Sequence, residues 1–363
     1  TAIVARHEHE SQNHNSLKAG TPAEADLMTI PEGFDPKQTH GVSQWPYDRP
    51  LNACRFDPAG RFVYCGSEDA AVERFNLPDG ARTIINGGHQ TWVKAIAFSK
   101  DGNIAFSGGC DGKLTWWDSA AAEPKPIRSI DAHKGWIRSL DVSPDGTLLV
   151  SGGNDNVVRV WNINDGTLVY EFTEHTRDIY CVAFYPDGQS VISGDLIGGL
   201  KQWEVTTGNE IRTFDATPLH SYNGGQQVDF GGIRAIAVSP DGKWLVAGGL
   251  HKASNPLGAV HEPIVLLFDL ETQKLEKQLI AEGITQGVIW RLKWLSDGSI
   301  IGLSGGGSGG FLVFWKPDAE KDYHRFQLPS LARDMDVHPD GLQVATAHYD
   351  RHLRISRMTA KAT

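Results

Sequence analysis

The chain has 363 residues, 40% of them hydrophobic and 21% charged, and its net charge is -10. This is the composition of a globular protein of one or two domains, and its 40 glycines and 18 prolines favour many turns between short strands. An acidic chain lacks the surplus of Lys and Arg that non-specific binding to nucleic acid or a membrane surface needs, and no run reaches the roughly 18 apolar residues of a membrane span. We therefore expect neither nucleic acid nor a membrane among its partners.

The N-terminal part of the chain is polar and shows no hydrophobic period. We expect residues 1–37 to form a tail that is disordered or lies along the surface. His7, His9 and His14 leave a metal site open as an alternative, although their spacing is not that of the H-E-x-x-H helix motif. Residues 1–20 lack the apolar core of a secretory leader, which predicts a cytoplasmic protein.

A polar turn that ends in glycine recurs seven times in the rest of the chain, with a usual period of about 42 residues. Each turn follows an alternating apolar run such as residues 95–98. A second run then ends in a small pair such as Ser107-Gly108, and a third closes on an aromatic residue such as Trp117. Such a unit contains four short strands and cannot bury both of its faces alone, so we expect the units to stack around an axis. The turn glycines are Gly60, Gly102, Gly146, Gly188, Gly242, Gly298 and Gly341.

Two consecutive units carry a His, a Ser, an Asp and a Trp at equivalent positions: His89, Ser107, Asp111 and Trp117, then His133, Ser151, Asp155 and Trp161. This pattern resembles the hydrogen-bonded tetrad of WD40 repeats, and Trp117-Asp118 is the dipeptide that names that family. The resemblance covers roughly residues 38–358. It implies an all-β protein, a seven-bladed WD40-type β-propeller. The tetrads then tie strand to loop as buried polar networks, a structural role rather than a catalytic one.

The other units keep the tetrad only in part. The fourth has His175, Ser193 and Trp203 but Ile197 at the position expected for Asp, and the first has Tyr47 at the position of the His. The fifth and sixth units depart further from the pattern, so the geometry of their loops is the least determined by the sequence.

Counting strands predicts how the ring closes. The seventh unit ends near Met358 with no outer strand after it, while residues 39–45 form the equivalent segment before the first unit. We therefore expect the N-terminal strand to complete the last blade and remove an open sheet edge. The resulting domain boundaries are a tail at residues 1–37, a propeller at 38–358 and a C-terminal tail at 359–363.

Two units are lengthened by insertions, residues 218–232 before the fifth blade and residues 250–262 inside it. In WD40 topology both connections emerge on the same upper face, where long loops often carry specificity. His220, His251 and His261 lie on these loops. Solvated histidines and a bound metal or small ligand are the two interpretations.

WD40 propellers commonly bind peptides at the upper mouth of the central channel, through side chains at fixed spacings from the tetrad His and Asp. Transferring those spacings selects aromatic and cationic residues, the composition of interaction hot spots. Packing between blades is the alternative for the two earliest tryptophans, and cation–π stacking is the alternative for the arginines. The predicted partner-binding residues are Trp92, Lys94, Trp136, Arg138, Tyr180, Arg234, Trp290, Arg333 and Tyr349.

From these features we expect a non-enzymatic scaffold that binds an extended, acidic segment of a partner protein at the upper face. A structural subunit docked through the propeller sides or the N-terminal tail is one alternative. A propeller that binds a small ligand or metal at the blade-five loops is the other. The sequence contains no catalytic constellation, phosphate loop or cofactor fingerprint, so we expect no enzyme activity, cofactor or metal. The protein would act as a monomer or as a subunit of a hetero-complex.

Overall fold

The computed structural model describes residues 29–77, 79–253 and 261–361. These residues form strands and two short 3-10 turns, Pro36–Gln38 and Thr217–Leu219, and none of their helices could cross a bilayer. The strands are, in chain order, β1 (Thr39–Pro46), β2 (Leu51–Phe56), β3 (Phe62–Ser67), β4 (Val72–Asn76), β5 (Arg82–Ile85), β6 (Val93–Phe98), β7 (Ile104–Gly109), β8 (Lys113–Asp118), β9 (Pro126–Asp131), β10 (Ile137–Val142), β11 (Leu148–Gly153), β12 (Val158–Asn162), β13 (Leu168–Phe172), β14 (Ile179–Phe184), β15 (Ser190–Asp195), β16 (Gly199–Glu204), β17 (Glu210–Asp215), β18 (His220–Asn223), β19 (Val228–Gly231), β20 (Ile233–Val238), β21 (Trp244–His251), β22 (Glu262–Asp269), β23 (Leu275–Ile280), β24 (Val288–Trp294), β25 (Ile300–Gly306), β26 (Gly309–Trp315), β27 (His324–Leu328), β28 (Ala332–Val337), β29 (Gln343–His348) and β30 (His352–Met358).

The strands form seven four-stranded antiparallel sheets, which we call blades 1 to 7. Blades 1 to 4 take their strands in order from β2 to β17, blades 5 and 6 take β20 to β27, and β18 pairs with β19 in a separate hairpin. The first strand of each blade contacts the first strands of its two neighbours, from β2 through β6, β10, β14, β20, β24 and β28 back to β2. These innermost strands surround a central channel, which confirms the predicted seven-bladed propeller. We call the face on which they begin the upper face.

Blade 7 is completed by the N-terminal strand, as predicted. β1 lies antiparallel to β30, with a register that runs from Thr39 opposite Met358 to Pro46 opposite His352. The chain just before β1 is also attached to this blade, because the backbone N–H of Asp35 donates to the carbonyl of Met358 at 2.9 Å. Residues 29–38 therefore lie along the last blade. The candidate metal ligands at positions 7, 9 and 14 lie outside the described residues.

The hydrophobic core consists of layers between adjacent blades. Gly108 shows why the second strand ends in small residues, since an added Cβ there would come within 3.0 Å of Ile137 on the next blade. A side chain would push the two blades apart at their closest approach. The same close contact recurs at four further interfaces: Gly66 with Val93, Gly152 with Ile179, Gly194 with Ile233, and Gly248 with Ile289.

The recurring turns join the innermost strand of each blade to the second. All seven turn glycines have a positive φ, between 68° and 77°, a region that residues with a Cβ seldom adopt. The repeat seen in the sequence is thus a set of identical hairpin turns on the lower face, opposite the channel mouth considered below.

Candidate functional site: the upper mouth of the channel

Three blades contain a tetrad bonded through its serine. In blade 3, His133 Nε2 lies 2.7 Å from Ser151 Oγ, Trp161 Nε1 donates to the same oxygen at 2.9 Å, and His133 Nδ1 lies 2.8 Å from Asp155. Burial raises the pKa of Asp155, but the hydrogen bonds from His133 and Arg159 outweigh burial and hold that pKa below its ordinary value. Blades 2 and 4 repeat the arrangement with His89, Ser107, Asp111 and Trp117, and with His175, Ser193 and Trp203.

In blade 4 Ile197 occupies the usual position of the tetrad Asp, as the sequence indicates, but the tetrad still has a carboxylate. The carboxylate comes from Asp195, whose Oδ2 lies 2.8 Å from His175 Nδ1 and whose Oδ1 accepts from two backbone N–H groups. Asp195 lies two residues after Ser193, a position that is glycine in blades 2 and 3. At one of those glycines, Gly109, an added Cβ would point at the tetrad His and Asp. A carboxylate on this strand position therefore fills the same space as the usual loop Asp.

The same strand position supplies the polar group in two other blades. In blade 1 it is Ser67, whose hydroxyl donates to Asp69 on the loop, and Asp69 also accepts a hydrogen bond from Tyr47 at 2.5 Å. In blade 7 it is His348, whose Nε2 lies 2.8 Å from Thr346 Oγ1. Burial lowers the pKa of His348 to about 4, so this imidazole is neutral at pH 7.

Each innermost strand carries a β-bulge near its upper end, one in every blade. A bulged residue has no partner on the adjacent strand, so its side chain can be re-aimed. The seven bulged residues all line one cavity of about 370 Å³ at the upper mouth of the channel. Six of them are predicted partner-binding residues. We call the set the mouth ring: Asn52, Lys94, Arg138, Tyr180, Arg234, Trp290 and Arg333.

One side of the mouth ring is organised around Asn52. Its Oδ1 accepts hydrogen bonds from Lys94 Nζ at 3.0 Å and from Arg333 Nη1 at 2.6 Å. Arg333 also pairs with Glu68 at 2.5 Å. Burial and repulsion from Arg333 together lower the pKa of Lys94 to about 8. Glu68 therefore neutralises only one of the cations on this side.

The other side of the mouth ring is a stack on Tyr180. The guanidinium carbons of Arg138 and Arg234 lie 4.4 Å and 3.9 Å from the centre of its ring. Arg138 donates to the neutral side chain of Asn154 at 2.7 Å, and Arg234 donates to the backbone carbonyl of Gly231 at 3.1 Å. Within the described residues neither arginine pairs with a carboxylate. The cation–π contacts predicted as an alternative are present, and they leave both charges uncompensated.

The three remaining predicted residues are exposed aromatics outside the cavity lining. Trp92 and Trp136 are 38% and 36% exposed, with ring centres 6.3 Å apart, and Tyr349 is 52% exposed. The tryptophans are therefore not buried between blades. Arg138 lies 4.5 Å from the ring centre of Trp136, which joins this apolar pair to the cationic cavity.

The charged residues next to the mouth ring along the channel are paired with one another. Asp334 accepts from Arg55 at 2.6 Å and from Arg291 at 2.8 Å, and Lys293 pairs with Asp336 at 3.1 Å. The mouth, by contrast, contains three cations without a carboxylate partner among the described residues: Lys94, Arg138 and Arg234.

Comparisons with known proteins agree with this architecture. A family model described as "WD domain, G-beta repeat" matches residues 82–118, 124–162, 166–203 and 216–252. The four matched segments contain the three complete tetrads, and the seven blades close into one ring.

The protein is a seven-bladed propeller that contains four WD40 repeats.

This WD40 propeller is similar to "Protein groucho" of Drosophila melanogaster, with 25% identity over 255 residues that cover 64% of the chain and 33% of that protein. It is also similar to the human "Angio-associated migratory cell protein", with 40% identity over 60 residues that cover 16% of the chain and 14% of that protein. The chain thus matches a third or less of each relative. WD40 propellers are typically non-enzymatic platforms for protein interaction.

The first insertion lies beside the strand from which the second insertion begins. Residues 220–231 form the β18–β19 hairpin, which contacts β21 where the second insertion begins. His220 pairs with Asp229 at 2.9 Å, and His251 lies 3.3 Å from Glu262. Among the residues that the structure describes, no three His, Cys, Asp or Glu side chains cluster as metal ligands would. Residues 254–260 of the second insertion lie outside that part.

Two residues at the mouth, Asn52 and Glu68, are not among the predicted partner-binding residues. Asn52 has the same spacing as the other ring residues, but a neutral amide gave no reason to include it among the partner-binding residues. Glu68 directly precedes Asp69 and is neither a cation nor an aromatic residue, so it is also outside the predicted set. Its pairing with Arg333 links residues 265 apart in sequence, and no local pattern encodes that contact.

Proposed function

We propose that this WD40 propeller is a non-enzymatic scaffold that binds an extended, acidic segment of a partner protein at its upper face. The observation that carries the proposal is the convergence of six predicted residues on one cavity. Three of the cations there, Lys94, Arg138 and Arg234, have no carboxylate partner in the described part of the chain.

The charge of the expected partner follows from the contrast between this mouth and the whole molecule. A protein of net charge -10 repels acidic chains over most of its surface. A cationic mouth on such a protein attracts an acidic segment, and it does so at that one place. Partly buried cations without counter-charges are destabilised, and a bound carboxylate would relieve that repulsion. The lowered pKa of Lys94 has the sign expected for such a cluster.

The extended form of the segment is supported by the arrangement of apolar and charged groups. Trp92 and Trp136 flank the cavity and are more than a third exposed. A segment that crosses the mouth can place an acidic side chain in the cavity and an apolar one on the tryptophan pair. Large rigid aromatics give contact area at a small cost in conformational entropy, which favours them as anchors.

Selection from a displayed library of random peptides tests the proposal and does not require the partner to be identified first. We expect enriched peptides to be rich in Asp and Glu. Their association should be fast and should slow as salt rises, because screening acts over about 8–10 Å at physiological ionic strength. Arg138→Glu should mainly reduce the association rate and its salt dependence. Trp136→Ala should mainly speed dissociation, at a cost of about 2 kcal/mol.

The matched control reverses a charge on the opposite face. Lys100 is exposed beside a lower-face turn, where its Nζ donates to the carbonyl of Pro144. Lys100→Glu makes the same charge change as Arg138→Glu and should leave peptide binding unchanged. Enriched peptides that lack acidic residues, or equal loss of binding in both charge reversals, would contradict the proposal and favour docking through the propeller sides or tail.

A further inference from the structure

The mouth ring contains hydrogen-bond donors that the protein itself does not satisfy. Asn52 is 5% exposed, and its Nδ2 makes no hydrogen bond in the described part of the chain. The orientation of the amide is determined by its neighbours, because Oδ1 accepts from both Lys94 and Arg333. A flipped amide would direct N–H groups at two cations. Asn52 therefore contributes a buried donor at the cavity with no acceptor.

A second unsatisfied donor lies across the cavity. Arg234 Nε is buried and has no partner among the described residues. Arg234 and Arg138 use their guanidinium faces to stack on Tyr180, and stacking leaves the N–H edges available to a ligand. Buried donors without acceptors cost free energy in the unliganded protein, so their presence on both sides of one cavity indicates a missing acceptor group.

The number of charges and donors indicates which group fits. Five cations line the cavity. Asp334 pairs with Arg291 and Glu68 with Arg333, which leaves Lys94, Arg138 and Arg234 without a carboxylate partner among the described residues. A carboxylate brings one negative charge and two oxygens. A phosphate monoester brings nearly two charges at pH 7 and three terminal oxygens, and it pairs well with arginines. The cavity of about 370 Å³ has room for that group with its connecting side chain.

We propose that the mouth ring binds a phosphate monoester, carried as a phosphorylated side chain on the partner segment. This inference rests on the proposed function and narrows it, because it replaces a general acidic segment by one with a phosphorylated residue at the cavity. Asn52, Lys94 and Arg333 bind the phosphate oxygens from one side, and Arg138 and Arg234 bind them from the other.

Oriented peptide pools test the inference on the intact propeller. Fluorescein-labelled pools with degenerate flanks and a central phosphoserine, aspartate or serine are compared by fluorescence anisotropy, beside O-phospho-L-serine and inorganic phosphate alone. We expect the phosphoserine pool to bind about tenfold or more tightly than the aspartate pool. Equal affinities for these two pools would overturn the phosphate inference and leave the acidic-segment proposal intact.

Two other outcomes show whether the phosphate comes from a partner protein and whether the site binds any ligand at all. If O-phospho-L-serine or inorganic phosphate binds as tightly as the phosphoserine pool, the ligand is a free phosphate compound and the partner segment is excluded as its source. If no pool and no phosphate compound binds, both this inference and the proposed function are overturned.

The decisive variant is Asn52→Asp, which exchanges the unsatisfied donor for an acceptor of the same shape. The new carboxylate can pair with Lys94 and Arg333, so we expect a higher melting temperature together with loss of the preference for phosphoserine. A purely structural Asn52 would not combine these two effects. Lys100→Glu serves again as the control and should change neither property. Retained phosphoserine preference in Asn52→Asp would overturn the assignment of this residue.

The pH dependence gives an independent readout at Lys94. Its pKa is about 8, and the charged groups that face it are Arg333, Arg138 and Glu68, with the neutral thiol of Cys110, whose pKa burial raises to about 11. Phosphoserine stays doubly charged above about pH 7. Binding should therefore weaken as pH rises from about 7 to 9 and Lys94 loses its proton. Lys94→Arg should remove this dependence, and an unchanged dependence would contradict a direct role for the lysine.

Discussion

The replacement Asp155→Ala tests whether the tetrads are structural. Asp155 accepts hydrogen bonds from His133 Nδ1 at 2.8 Å, from Arg159 Nη1 at 2.8 Å and from the backbone N–H of Lys134 at 3.1 Å. Its side chain is 9% exposed, so the three donors lose an acceptor that water replaces only in part. Arg159 retains Glu171 at 2.6 Å, and the main loss is at His133.

An unsatisfied buried donor costs about 1–3 kcal/mol, and the two remaining donors are close enough to the surface to be partly hydrated. We therefore expect Asp155→Ala to lower the free energy of unfolding by about 2–3 kcal/mol. In a propeller of this size that corresponds to roughly 3–4 °C in Tm, because the entropy of unfolding grows with chain length. Urea unfolding followed by tryptophan fluorescence measures the difference directly.

The control is Asp131→Ala, which removes an exposed carboxylate that is 84% accessible and lies 2.9 Å from Lys113. Exposed ion pairs contribute about 0–1 kcal/mol, so the free energy of unfolding of this variant should be close to that of the wild type. If both variants lose the same small amount, the tetrad does not stabilise its blade. If Asp155→Ala keeps wild-type stability but loses peptide binding, the residue is functional and the structural interpretation fails.

The difference in unfolding free energy between the wild type and Asp155→Ala should depend on pH in a definite direction. The pKa of Asp155 in the folded protein is lower than in the unfolded chain, where it is close to 4. The carboxylate therefore stabilises the fold fully above about pH 4, and that contribution is lost as pH falls toward the folded-state pKa. The difference between wild type and Asp155→Ala should be constant from about pH 7 to 5 and shrink below about pH 4.

Two further predictions concern the last and the fourth blades. Deleting residues 1–46 removes β1 and exposes β30, so it should cause aggregation or a large loss of Tm, whereas deleting residues 1–30 should be tolerated; equal melting temperatures would mean that β1 does not stabilise the closed ring. Asp195→Ala should cost about 2–4 kcal/mol in urea unfolding, because a buried His and two backbone N–H groups lose their acceptor, while the exposed Asp187→Ala should cost far less; similar losses would contradict the assignment of Asp195 to the tetrad.

The sequence alone determined the architecture, because every unit of a propeller repeats the same local sequence pattern. The turn glycines require a positive φ, the small residues after each second strand allow the next blade to approach, and alternation sets the inward face of each strand. Ring closure followed from counting strands, since one blade lacked its outer strand at the C-terminus. These signals act within about 42 residues, so a single chain displays them several times.

Only the tertiary structure decided how side chains from different units meet. Asp195 and His348 stand where other blades have glycine, and they reach the tetrad site from the strand instead of the loop. The tetrad pattern places the polar group on the loop, so it does not identify these two residues. A polar residue at a position that is glycine in other blades could have indicated them.

The mouth of the channel depends on the same kind of information. Spacing assigned Lys94, Arg138 and Arg234 to the upper face, but whether their charges are neutralised depends on every blade that meets at the axis. Arg333 pairs with a carboxylate on another blade. The orientation of the Asn52 amide, whose Nδ2 has no partner among the described residues, results from two cations on separate blades. Such contacts join residues far apart in sequence. They are set by ring closure and by the bulge that turns one side chain per blade into the cavity, and neither has a local sequence signature.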